Sequence, residues 1–144
     1  MSLETVKATT GRVLGVDYGE ARTGLAVSDV SRFLANGIGN VQGGGLEKTA
    51  ERVLAVAGEQ GAVALVLGLP VNMNGTEGPK AARIREFAAI LERTLPVYLM
   101  DERMTTMAAA RFLNETNTRG KKRRGVIDTL SAEIILQNAL DRLR

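Results

Sequence analysis

A chain of 144 residues, 44% hydrophobic and 24% charged, has the size and balance of one ordinary soluble domain, large enough to bury a core without staples. It contains no Cys and no His, which excludes disulfides, Cys/His metal sites, thiolate nucleophiles and every His-based triad at once. Asp and Glu remain for proton transfer or for holding a hard cation such as Mg²⁺, and the net charge of +3 leans towards an anionic partner.

Met1 to Arg12 is polar and carries no apolar segment of a signal peptide, and the longest apolar run, Ala62 to Val71, is only about half a membrane span. A cytoplasmic protein is expected, with residues 1–10 as an N-terminal tail and 11–144 as a single domain. Arg12 to Val16 and Thr23 to Val27 are β-branched and Leu-rich runs joined by a polar turn, which predicts a hairpin. Phe33 to Gln42 predicts a third strand, broken by Gly43-Gly44-Gly45. Leu46, Ala50, Val53, Leu54 and Ala57 recur at helical spacing. Ala62 to Leu69 is continuously apolar, the pattern of a strand buried on both faces of a parallel sheet. A helix is predicted from Pro79 to about Arg93, with Ile84, Phe87, Ala88 and Leu91 on one face, followed by a strand from Val97 to Met100. Met107 to Leu113 predicts a short helix, Asn114 to Gly125 a polar loop and Val126 to Leu143 a final helix. The order implies an α/β fold with a mixed sheet and helices on both faces.

Carboxylates stand at three telling places. Asp17 ends the first strand beside Gly19, and Asp101 and Glu102 end the strand from Val97. Alternation along a strand sends Asp101 and Glu102 to opposite faces, so one of the two joins Asp17. Asp128 opens the predicted last helix, where an N-cap accounts for it as well as chemistry does. Asp17 likewise reads as a turn residue, and Asp101 or Glu102 as a strand end paired with Arg103. Taken together the acids make a stronger case. Two carboxylates 4 Å apart repel by roughly 1 kcal/mol in water and about 4 at an effective dielectric of 20, a cost that a divalent cation removes. Two such ions can clamp the attacking and leaving oxygens of a phosphodiester. Just before Asp128, Lys121, Lys122, Arg123 and Arg124 lie between Gly120 and Gly125, a run suited to holding a nucleic-acid backbone unless it is merely a solvated loop. Arg22, in the turn after Asp17, is a second candidate cation. The segment from Leu67 to Glu77 is Gly-containing but lacks the Lys-Ser/Thr of a P-loop; its polar tip could shape a substrate groove.

Four segments in order closely resemble the YqgF/RuvX family of RNase H-like nucleases, over about Gly11 to Leu140. They are Gly15-Val16-Asp17-Tyr18-Gly19 with Arg22-Thr23-Gly24, then Gly68 to Thr76, then Asp101-Glu102-Arg103-Met104-Thr105-Thr106, then Asp128-Thr129-Leu130-Ser131-Ala132 leading to Ile135-Leu136-Gln137. The family is described as Holliday junction resolvases and as nucleases maturing the 5′ end of small-subunit ribosomal RNA precursors. The resemblance implies an RNase H-like mixed five-stranded sheet flanked by helices, and a Mg²⁺- or Mn²⁺-dependent site built from Asp17, Glu102 and Asp128, with Asp101 as the rival for the middle place. Ala21 stands where many members carry Lys, and Met104-Thr105-Thr106 replaces the commoner Leu-Ser-Thr.

The expectation is a metal-dependent endonuclease acting on a four-way DNA junction, an rRNA precursor or both, with Arg22 and Lys121 to Arg124 holding the backbone. A nuclease that cuts two strands symmetrically would most simply be a two-fold homodimer. Two other readings compete: a nucleic-acid-binding ribosome-assembly factor without turnover, and one lobe of an ATP-hydrolysing domain of the actin and sugar-kinase type.

Overall fold

The computed structural model describes residues 3–105 and 120–143, with side chains from 129 onward in the second stretch. Five strands form one sheet in the order β3-β2-β1-β4-β5. They are β1 (Arg12–Asp17), β2 (Arg22–Ser28), β3 (Ala35–Gln42), β4 (Ala62–Leu69) and β5 (Val97–Asp101). The first three pair antiparallel; β1 with β4 and β4 with β5 pair parallel. Among the described residues the helices are α1 (Leu3–Lys7), α2 (Leu46–Gln60), α3 (Pro79–Leu91) and α4 (Gly120–Leu143), with a 3₁₀ turn at Glu102–Met104. Among the described residues no helix is long and apolar enough to cross a membrane.

Alternation along the strands divides the interior in two. Leu14, Val16, Leu65, Leu67 and Leu69 point to one side, where α2 lays down Ala50, Val53 and Ala57 and α3 lays down Ile84, Phe87, Ala88 and Leu91. Val13, Ala64, Val66 and Met100 point to the other, covered by Ala132, Ile135, Leu136, Ala139 and Leu140 of α4. Because β4 is central and covered twice, it has no polar face, which is why its sequence is continuously apolar. Helix α2 stops at Gly61, whose φ of 70° gives a left-handed cap with its N–H donated to Ala57 and Gly58. Pro79 starts α3 at a position where a missing N–H costs nothing.

Two segments differ from the sequence expectation. Within the expected N-terminal tail, Leu3–Lys7 is a helix whose Val6 is fully buried against the α4 side of the sheet. Arg32 in the β2–β3 turn ties this helix down, donating to the carbonyls of Gly11 at 2.6 Å and Val6 at 3.2 Å and to Thr9 Oγ1 at 2.7 Å. One buried residue in a five-residue helix is too little to read as a period; tertiary contacts specify it. The second difference is the start of the last helix. Gly120–Gly125 is helical rather than a loop, since Lys and Arg are good helix formers even where no apolar residue marks the period. The predicted helix at Met107 to Leu113 lies outside the described residues, as do residues 114–119 of the predicted loop.

Helix α4 also covers the open edge of the sheet. Gln137 Oε1 accepts the Ala35 N–H at 2.9 Å and Glu133 Oε1 accepts the Gly37 N–H at 2.8 Å. Side chains thereby satisfy two backbone donors of β3 that another strand could otherwise pair with.

Candidate active site

The parallel strands β1, β4 and β5 all point their C-terminal ends to one edge, where Asp17, Asp101 and Glu102 lie. Asp17 shares its side of β1 with Val13 and Gly15, so its carboxylate lies on the α4 face. Directly opposite on β2 is Gly24. The parallel register of Val16 with Leu67 continues to place Asp17 level with Gly68 on β4. Both cross-strand neighbours of Asp17 on this face therefore lack a side chain, beside a half-buried carboxylate.

Glu102 comes to the same edge at the end of β5. Gly68 pairs with Met100 on β5, and a Cβ added at Gly68 would come within 2.9 Å of Glu102 Oε2 and 2.6 Å of Ile135 Cδ1. The missing side chain of this glycine thus leaves the room that the Glu102 carboxylate and Ile135 occupy beside β4. Asp101 points the other way. It pairs with Leu69, and its carboxylate accepts the Arg103 backbone N–H at 2.9 Å and the guanidinium at 2.8 to 3.2 Å. Those bonds to Arg103 hold the Asp101 carboxyl below its ordinary range. Asp101 caps the 3₁₀ turn on which Glu102 sits, so its charge is engaged in fixing the direction of its neighbour.

Asp128 lies on α4, well inside the helix rather than at its N-terminus, because α4 begins at Gly120. The N-cap explanation for this residue is therefore removed. Its side chain, with those of Lys121, Lys122, Arg123 and Arg124, lies outside the described residues; the basic run forms the first turns of the helix. Immediately after Asp128, Thr129 approaches Gly37 so closely that a Cβ there would collide with it, and the Ala132 carbonyl would lie 3.0 Å from a Cβ at Gly15. Helix α4 therefore crosses β3 and β1 at van der Waals distance. Arg22 opens β2, half-buried; its carbonyl leaves no room for a Cβ at Gly19, and Thr23 Oγ1 exchanges hydrogen bonds with Gly19 across the turn. Among the described residues no three acids are grouped closely enough to hold a metal ion; Asp17 and Glu102 are two, and Asp128 is beyond that description.

The β4–α3 connection is a built turn. Gly75, at φ 88°, donates to Asn72 O at 2.8 Å, and Asn72 N–H donates to Thr76 O at 2.9 Å. Asn74 Oδ1 accepts from the Thr76 N–H at 3.1 Å and hydroxyl at 2.6 Å. A bidentate pair between Arg85 and Glu77, at 2.6 and 2.7 Å, ties its end to α3. Sequence reasoning missed two features of this edge: the spacer role of Gly24 and Gly68, and a cationic pair, Lys80 and Arg83, on the first turns of α3. The first can be seen only once the register of β2 and β4 against β1 is known.

A five-stranded mixed sheet in this order, with acids at its C-terminal edge under a long closing helix, defines an RNase H-like domain. Its fold is similar to that of RuvC from Thermus thermophilus bound to a Holliday junction substrate, with a TM-score of 0.57 at 18% identity over 92% of this chain and 94% of that one. The model of the RuvX family, described as Holliday junction resolvase, matches residues 11–142, and the chain belongs to that family. Among curated relatives, a protein of Rhodopseudomonas palustris (strain BisB5) is 47% identical over 92% of this chain and 84% of its own length. One of Ruminiclostridium cellulolyticum is 38% identical over 92% and 95%. Both carry the name "Putative pre-16S rRNA nuclease". Nuclease is accordingly the activity class of this chain.

Proposed function

We propose that the chain is a divalent-metal-dependent endonuclease of structured nucleic acid, that its substrate is a small-subunit rRNA precursor, as the names of its curated relatives indicate, and that it acts at the 5′ end of that precursor. The observation that supports the chemistry is the placement of the Glu102 carboxylate over Gly68, the β4 residue next after the register partner of Val16 and so level with the half-buried Asp17. Hard oxygen donors in a chain without Cys or His suit Mg²⁺ or Mn²⁺. Asp17, Glu102 and Asp128 would hold the ion, which when bound activates water and neutralises charge developing on the phosphate. An Asp in a helix interior lowers helix propensity, so the place of Asp128 well inside α4 supports a role beyond the backbone. Asp101 is a positioning residue: it caps the turn that carries Glu102. Arg22 and the run Lys121 to Arg124 would bind phosphates on either side of the acids.

The test is cleavage of a 5′-extended 16S rRNA precursor and of a four-way DNA junction by purified protein with Mg²⁺, Mn²⁺ or EDTA. Cleavage of the RNA that fails in EDTA is expected. Cleavage of the junction alone would transfer the assignment to the resolvase described for the family, and a two-fold dimer in light scattering would accompany it. Binding of both substrates without cleavage under either metal would leave a ribosome-assembly factor. Neutralising Lys121, Lys122, Arg123 and Arg124 together should flatten the dependence of log K on log salt by about 0.7 per lost contact on single strands and about 0.9 on duplex DNA.

A further inference from the structure

On the α3 side of the same edge, directly behind Asp17, lies a pocket of about 400 Å³ lined by Tyr18, Gly19, Glu20, Pro79, Lys80 and Arg83. This volume falls in the range of sites for small ligands. Its floor is rigid. Tyr18 is buried and tilted against Phe87 with ring centroids 4.6 Å apart, and the backbone of Glu20 and Ala21 is locked to Gly43, whose N–H donates to Ala21 O at 2.9 Å. Its rim is cationic. Lys80 and Arg83 are three residues apart and so share one face of α3. Neighbouring Arg85, by contrast, is held by Glu77.

Arg83 is electrostatically under-served. Its Nε is shielded from solvent and makes no hydrogen bond. The nearest acid, Glu20, stands 3.5 Å away, within ion-pair reach but without hydrogen-bond geometry, on a side chain that is 80% exposed. A shielded donor without an acceptor is costly, and a phosphate oxygen entering the pocket would supply the acceptor while the exposed Glu20 turns into water. Asp17 ends β1 on the α4 side and Tyr18, the next residue, packs in the core on the α2/α3 side, so the pocket adjoins the strand end that carries Asp17.

We infer that this pocket is a subsite for one nucleotide of the bound strand beside the cut, its phosphate held by Lys80 and Arg83 and its sugar against Tyr18 and Pro79. The inference rests on the nuclease reading for its ligand, and its test does not depend on cleavage. Binding of a fluorescein-labelled single-stranded RNA and of a labelled four-way DNA junction is followed by anisotropy in EDTA across a salt series. Lys80→Ala, at an exposed position, should lower the salt slope by about 0.7 on the single strand, and Lys80→Ala/Arg83→Ala should lower it about twice as much and weaken binding about tenfold or more at low salt. Glu20→Gln should act in the opposite direction, tightening binding several-fold, because it removes the carboxylate that competes with phosphate; a purely structural Glu20–Arg83 pair would give no gain. Arg83→Lys should retain the slope. An unchanged slope in Lys80→Ala and the double variant, with melting temperatures as in the wild type, would overturn the subsite, as would weaker binding by Glu20→Gln. If these shifts appear in a protein that never cleaves, the subsite stands and the nuclease reading falls. If cleavage is normal and the shifts are absent, the reverse holds.

Discussion

The two faces of the sheet are packed by opposite means. On the α2/α3 face, large side chains fill the space: Phe87, Leu14, Leu65, Leu67, Ile84 and Leu91 are fully or almost fully buried. On the α4 face the space is removed instead. Gly15, Gly37 and Gly68, on three different strands, each sit where a Cβ would strike α4, so the helix lies close against the backbone. The first arrangement makes a core; the second sets α4 directly on the backbone of β3, β1 and β4, the last beside Glu102. Close packing is therefore a condition of the site as much as of stability, and the two faces should fail in different ways.

The largest effect should fall on chemistry alone. Asp17→Asn and Glu102→Gln are each expected to lower Mn²⁺-dependent cleavage by about 10³-fold or more, roughly 4 kcal/mol of transition-state stabilisation, with far-UV circular dichroism unchanged. Retention of cleavage in either variant would remove that residue from the site. On the filled face, Phe87→Ala should cost about 3–5 kcal/mol in urea denaturation through the cavity it leaves, and it touches no acid. On the glycine face the sign of the perturbation reverses. Gly15→Ala adds a methyl and should cost about 1–3 kcal/mol by pushing α4 outwards. Gly68→Ala should combine a similar loss with about a 10- to 100-fold loss of cleavage, the range seen when groups supporting a metal ligand are disturbed, because the new Cβ meets both Ile135 and the Glu102 carboxylate. Equal effects of Gly15→Ala and Gly68→Ala on cleavage, scaled to stability, would mean that helix displacement and not Glu102 is what matters.

The contrast also explains what could be read from the chain beforehand. Strands β1, β2, β4 and β5 and helices α2 and α3 were legible to within three residues because burial marks them, the inner strands as short continuous apolar runs and the helices by a period of 3.6. Helix α1 and the first turns of α4 were not: Val6 is a lone apolar anchor, and Lys121 to Arg124 offer no apolar face at all. The candidate acids were legible from residue type and motif order. Which of Asp101 and Glu102 lies over Gly68 was not, since alternation fixes only that they differ. The answer depends on α4 packing over the face that carries Gly68, a fact of tertiary structure, and on the 3₁₀ turn that begins at Glu102. Nor did any local pattern announce Gly24 and Gly68 as the neighbours of Asp17, because register between strands is a long-range property.

The smallest expected effect separates the two adjacent acids. Asp101→Asn keeps a side-chain oxygen able to cap the turn at Arg103 and loses only the ion pair, so cleavage should stay within a few-fold of wild type. Asp101→Ala loses the cap as well and should reduce cleavage further by loosening the turn that carries Glu102. The charge itself is worth little, because both partners are about one-third exposed; roughly 0.5–1 kcal/mol is expected at neutral pH. Its pH dependence has a definite sign. The Arg103 guanidinium and backbone N–H depress the Asp101 carboxyl in the folded state, so the folded protein holds that proton less tightly than the unfolded chain, whose Asp titrates near about 3.9. The contribution is then fully present above that unfolded value and is lost as the pH falls through the lower folded one. Urea denaturation of wild type and Asp101→Asn should accordingly differ by a constant amount from neutral pH down to about 5 and converge in stronger acid. A difference that persists undiminished at a pH where Asp101 is protonated would show that the carboxylate acts through geometry rather than charge, and the distinction drawn between Asp101 and Glu102 would have to rest on the cap alone.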